Sequence, residues 1–130
     1  MTPLVILLVA LGAAVGAPVR FLVERRLAGA YPWGTFAVNV VGSALLGGLV
    51  AAAGTSPSTP AVALVGTGFC GALTTFGGYA AQVLDLASGP REVAGGQRLV
   101  RSVSYATLSV VVCVAVAAAT YVTVVSLPAS

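Results

Sequence analysis

Gly54-Thr55-Ser56-Pro57-Ser58-Thr59-Pro60 sits within a stretch, Leu27 to Leu84, that carries no charged residue. A helix needs about 20 apolar residues to cross roughly 30 Å of hydrocarbon. The stretch is therefore too long for one crossing. The residues that divide it are turn formers: proline removes backbone donors, and Gly, Ser and Thr favour local bonds over helix. Outward from that centre, Met1 to Val19 and Ser102 to Ser130 are also uncharged, and each fits one crossing. The expected fold class is an all-α integral membrane protein with four spans, near 3–24, 33–53, 60–86 and 101–125, in a single domain, 1–130. Loop 87–100, with Gly89-Pro90 and Gly95-Gly96, reads as irregular and polar.

Composition agrees with the spans. Of 130 residues, 58% are hydrophobic and 7% charged, against about 25% charged in an ordinary soluble domain. In water such a chain would expose a large apolar surface and aggregate. That excludes a soluble enzyme and, despite the net charge of +3, a nucleic-acid module. The first span lacks the basic leader of a secretory signal. Cys70 and Cys113 lie deep in different spans, without metal or redox spacing, and read as small apolar packers. No nucleophile–base set is present, so no enzyme is expected. No acidic or basic residue falls in the middle of a span. Proton-coupled pumps and small four-helix multidrug transporters need such a group. A passive pathway or a structural role remains, with a small multidrug transporter as a remote alternative.

Small and polar residues mark the inward faces, because helix contacts in membranes favour Gly, Ala, Ser and Thr. Span two carries Thr35, Asn39, Gly42, Ser43 and Gly47, with Asn39 and Ser43 on one face. Span four carries Ser102, Tyr105, Ser109, Cys113 and Thr120 at helical spacing. Span three holds Gly66, Gly68, Gly71, Gly77 and Gly78, each costing a helix interior about 1 kcal/mol relative to Ala. Such density points to close helix approach or to a helix broken near its middle. Tight packing accounts for most of these positions. Asn39 stands apart, since its amide needs partners in a dry setting. It either bridges two helices or faces a pathway. Tyr31 and Trp33 lie at a span edge, where aromatic residues collect.

Three stretches resemble the CrcB (Fluc) fluoride channel family. Gly12-Ala13-Ala14-Val15-Gly16-Ala17-Pro18-Val19-Arg20 is similar to that family's Gly-rich first helix ending in Arg. Trp33-Gly34-Thr35-Phe36-Ala37-Val38-Asn39-Val40-Val41-Gly42 resembles its G-T-x-x-V-N-x-x-G signature. Gly68-Phe69-Cys70-Gly71-Ala72-Leu73-Thr74-Thr75-Phe76 resembles its G-x-C-G-x-x-T-T-F signature. The resemblance implies a passive channel that relieves cytoplasmic fluoride, built as an antiparallel dimer with two pores and a central structural sodium ion. It implies that backbone carbonyls of Gly71 and Thr74, at a break in the third helix, hold the sodium. Fluoride would meet the amide of Asn39 and the ring edge of Phe76, the positive part of the ring. Ser109 and Cys113 match the family's polar track on the last helix, and Arg20 matches a residue at the pore mouth. The family continues T-T-F-S-T-F, whereas this chain has Thr74-Thr75-Phe76-Gly77-Gly78-Tyr79. Tyr79 adds a hydroxyl that would either block the pore or donate to the ion, and Gly77-Gly78 removes polar lining. The alternative is a partner subunit whose own pore is non-conducting or half-degenerate.

Charge placement predicts orientation. Arg20, Arg25, Arg26, Arg91, Arg98 and Arg101 all fall in or beside loops 20–32 and 87–100, on one side of the membrane. Arg-bearing short loops stay in the cytoplasm. Both termini are expected outside, in a multi-pass protein of the plasma membrane lipid bilayer. An antiparallel homodimer needs one sequence to insert both ways. If the antiparallel dimer that the resemblance implies holds, the expected partner is a related second subunit of opposite bias, with a homodimer as the alternative.

Overall fold

The computed structural model describes residues 2–53, 59–88 and 95–127, and these are entirely helical apart from short connections. Most of the turn cluster, 54–58, lies outside the described residues, as do Gly89-Pro90, Arg91 and Glu92 within 89–94. Helix α1 spans Pro3–Arg26, with proline in its first turn and Arg25 and Arg26 in its last. Both ends suit the chain: proline's missing donor is no loss at an N-terminus, and cations favour the negative C-terminal end. Helix α2 spans Trp33–Ala53. Helix α3, Val62–Cys70, is wound as a π-helix and runs into one further α turn, Gly71–Leu73. Helices α4, Phe76–Ser88, and α5, Gly95–Ser126, complete the chain.

Among the described residues, four segments are long and apolar enough to cross a membrane: Pro3–Arg26, Trp33–Ala53, Val62–Ser88 and Gly95–Ser126. The last begins at Gly95 rather than near 101, taking in much of the expected irregular loop. The first N–H groups of a helix need no internal acceptor, so glycines are tolerated there. Gln97, Arg98 and Leu99, which follow, are good helix formers.

Helix α1 packs against α3, α2 against α5, and α4 against α5. The α1–α3 contact is backbone to backbone. A Cβ on Gly12 would coincide with the Leu64 carbonyl oxygen, and one on Gly68 would sit 2.6 Å from the Val9 carbonyl oxygen. Glycine alone permits that approach. Elsewhere the core is thin, and the central window of each span is only 6 to 33% buried. Leu4, Ile6, Leu11, Val15, Val111 and Val114 lie on the exposed faces, an arrangement stable in hydrocarbon and not in water.

Within the third span the helix gives out at Thr74, whose φ of −79° and ψ of 151° are extended. The Thr74 N–H still reaches the Cys70 carbonyl at 2.9 Å, and its hydroxyl donates to the same oxygen at 2.9 Å. Helix resumes at Phe76.

Candidate functional site: a cavity at the helix interruption

Breaking a helix in a membrane strands donors and acceptors that water cannot satisfy. Asn39 on α2 meets one of them. Its Oδ1 accepts the Thr75 N–H at 2.9 Å. Its Nδ2 lies 3.5 Å from the Thr75 carbonyl, at the outer limit for such a bond. The Thr75 N–H can only donate, so the amide oxygen must face it. Nδ2 keeps donor capacity in hand. Thr75 in turn caps α4, its Oγ1 accepting the Gly78 N–H at 3.0 Å, the usual role of Thr at an N-cap. In an unbroken helix the Gly71 carbonyl would receive the Thr75 N–H and the Thr74 carbonyl the Gly78 N–H. Both donors are diverted to side chains.

A cavity of about 400 Å³ opens at this point. Its lining takes in Asn39, Phe76, Tyr79, Ser109 and Cys113, the residues picked for an ion pathway, together with Gly71 and Thr74. Three separate spans bring them together. Phe76, the first residue of α4, is 82% exposed, and its ring lies 5.9 Å from that of Tyr79. The Tyr79 hydroxyl donates to the Ala106 carbonyl at 3.0 Å, so its proton is committed to α5. Ser109 Oγ is buried on the cavity wall and makes no hydrogen bond of good geometry, with Tyr105 as a polar neighbour. Cys113 is half-buried one turn further on, and Cys70 is buried on the opposite wall.

Arg20 does not line this cavity. Its Nη1 donates to the Ala72 carbonyl at 3.2 Å. That oxygen would otherwise accept from Phe76 in a continuous helix, so Arg20 fastens α1 to the interruption.

Gln82 is a second side-chain amide within the spans, besides Asn39. Its Nε2 donates to Thr35 Oγ1 at 2.7 Å, and its Oε1 accepts from the Tyr105 hydroxyl at 3.1 Å. An amide inside an apolar span, with Thr35 and Tyr105 on neighbouring inward stripes, was the available signal. Gln82 and Thr35 also line a second cavity of about 620 Å³, at the end of the molecule that carries Glu24, Arg98 and Arg101.

Fold and site together define a small membrane protein of four apolar spans, with a largely apolar cavity that carries a few polar groups at an interrupted helix. Residues 7–121 match the family described as CrcB-like protein, Camphor Resistance (CrcB). The chain belongs to that family. It is 49% identical over 92 residues to a protein of Frankia casuarinae named fluoride-specific ion channel FluC 1, covering 62% of this chain and 70% of that one. A protein of the same name from Nocardia farcinica is 47% identical over 85 residues, covering 62% and 58%. One named fluoride-specific ion channel FluC, from Bordetella bronchiseptica, is 43% identical over 88 residues, covering 65% and 68%.

Proposed function

We propose that the chain is a subunit of a passive, fluoride-selective channel that lets fluoride leave the cytoplasm and so protects against its toxicity. The observation that carries this reading is the cavity that unites Asn39, Phe76, Tyr79, Ser109 and Cys113 beside the interrupted helix. Fluoride is small and strongly hydrated, so a pathway must exchange its water for other donors. Asn39 Nδ2 and the Ser109 hydroxyl supply N–H and O–H donors, and the edges of Phe76 and Tyr79 supply weaker positive contacts. Weak contacts suit an ion that must also depart. The lining contains no acidic or basic side chain, which favours passive flow over proton coupling. Fluoride efflux from liposomes tests the reading, with this chain alone and with a related second subunit. Flux that Phe76→Ile slows strongly supports it. Release no faster than from protein-free liposomes in both preparations overturns it.

The interruption suits a structural sodium ion. The Gly71 and Thr74 carbonyls have lost their ordinary donors to Asn39 and Thr75, and a hard cation takes oxygen ligands of that kind. When bound, the ion supplies positive charge that compensates carbonyls at membrane depth. The assembly we infer is an antiparallel dimer in the plasma membrane, paired with a related subunit of opposite orientation. The exposed Phe76 ring and the one-sided Arg distribution support that reading. The third span then acts as a broken helix, with the pathway running past the break.

A further inference from the structure

One residue from each span enters a single run of hydrogen bonds at the Arg-bearing end. The Tyr105 hydroxyl on α5 donates to Gln82 Oε1 on α4 at 3.1 Å. Gln82 Nε2 donates to Thr35 Oγ1 on α2 at 2.7 Å. The Thr35 hydroxyl donates to Glu24 Oε1 on α1 at 3.1 Å. An ionised carboxylate only accepts, so Glu24 gives the run one direction and fixes which way the Gln82 amide faces. Thr35 and Tyr105 are both fully buried, while Glu24 and Gln82 are half-buried.

What the run holds is α4. That helix carries Phe76 and Tyr79, yet it buries none of its own residues. Its ties to the rest of the molecule combine half-buried apolar contacts, among them the Tyr79 ring 5.8 Å from that of Tyr105, with several hydrogen bonds. Thr75 is held by Asn39 just before it, and Tyr79 by the Ala106 carbonyl. Ser102 donates to the Val83 carbonyl at 2.7 Å, and Gln82 joins both α2 and α5. With no fully buried residue, the helix relies more than its neighbours on hydrogen bonds for its position. Gln82 contributes two of them from one side chain, and it does not line the cavity at the interruption.

We propose that Gln82 is a positioning residue, the hub of a four-span brace running from Tyr105 through Thr35 to Glu24 that sets where α4 presents Phe76 and Tyr79. The proposal rests on the reading of those two rings as part of a fluoride pathway. Gln82 acts on the ion through them and not by contact.

The test uses the full chain in lipid nanodiscs and liposomes, in whichever assembly conducts. Gln82→Leu is expected to raise amide hydrogen exchange within 76–88, while α1 and α2 keep wild-type protection. Fluoride efflux should fall roughly three- to tenfold, the range interhelical hydrogen bonds in membranes contribute. In a Phe76→Ile background the same change should cost little more, because both act through one ring. Gln82→Glu sets two carboxylates competing for the single Thr35 proton and should also slow efflux. Adding Glu24→Gln restores one amide and one carboxylate, and should recover it. Exchange that rises across all four spans, or does not rise at all, overturns the brace. So do losses that add fully with Phe76→Ile. Absence of efflux from the wild-type protein would instead defeat the channel reading, and exchange would still decide the brace.

Discussion

In the channel reading Asn39 has two duties, which Asn39→Leu removes together and Asn39→Asp separates. Its oxygen holds the Thr75 N–H, while its Nδ2 is bound only at 3.5 Å and is the group that would meet an ion in that reading. Asn39→Leu removes both and strands a buried donor, which costs about 1–3 kcal/mol. Efflux should vanish and the thermal midpoint in detergent should fall. Asn39→Asp keeps the acceptor and removes the donor. It should retain the assembly but lose transport, and wild-type flux through it would return Asn39 to helix bridging alone. Tyr79 is simpler. Its hydroxyl donates to the Ala106 carbonyl, an oxygen α5 already uses, so the bond is worth about 0.5–1.5 kcal/mol. Tyr79→Phe should leave efflux unchanged or raised. A large loss would mean that the hydroxyl turns from α5 to serve the ion.

At the scale of the elements, the close approach of α1 and α3 decides whether the interruption is held at all. The Cβ that Gly12 lacks would overlap the Leu64 carbonyl, and backbone cannot step aside as a side chain can. Gly12→Val should force the helices apart at a cost of about 1–3 kcal/mol, read as a lowered thermal midpoint. Unchanged stability would mean that α1 rides freely on α3. Much of this layout was legible beforehand. Charge-free runs set the spans, the Gly density of the third announced either close approach or a break, and Ser109 and Cys113 fell on one face by their spacing of four. The rest depends on what a break does, which spacing cannot encode. The Arg20 guanidinium finds the Ala72 carbonyl only because the interruption frees that oxygen. The facing of Gln82 is set by where α4 restarts after the extended Thr74, and helical periodicity does not carry across such a gap. The start of α5 at Gly95 was hidden because glycine pairs signal loops more often than first turns.

For the whole molecule, charge and geometry bear on one question, which is how the chain enters the bilayer. The Glu24–Thr35, Gln82–Thr35 and Ser102–Val83 bonds gather the end of α1, the start of α2, the end of α4 and the start of α5 at one end. Arg25, Arg26, Arg98 and Arg101 lie at that end, and no Arg or Lys occurs in 54–59 or after 101. Arg20 is turned inward to Ala72 and can be set aside. The imbalance survives without it, since Glu24, Asp85 and Glu92 count little in this rule. Each cation translocated across the membrane is opposed by the potential, at about 2.3 kcal/mol per 100 mV. The reverse insertion would carry the whole Arg-bearing end across. The chain should therefore insert one way, with both termini outside. Reporters fused to the carboxyl terminus should give signal from the outer side alone. Substantial signal from both sides would defeat the fixed orientation and restore an antiparallel homodimer as the natural assembly. If orientation is fixed, two copies of this chain inserted in a cell cannot lie antiparallel, and the antiparallel dimer we infer would need a related subunit with the opposite Arg bias. Co-expression with such a subunit should then rescue fluoride resistance in sensitive cells that this chain alone does not protect. Full resistance from the lone chain would remove the need for a partner.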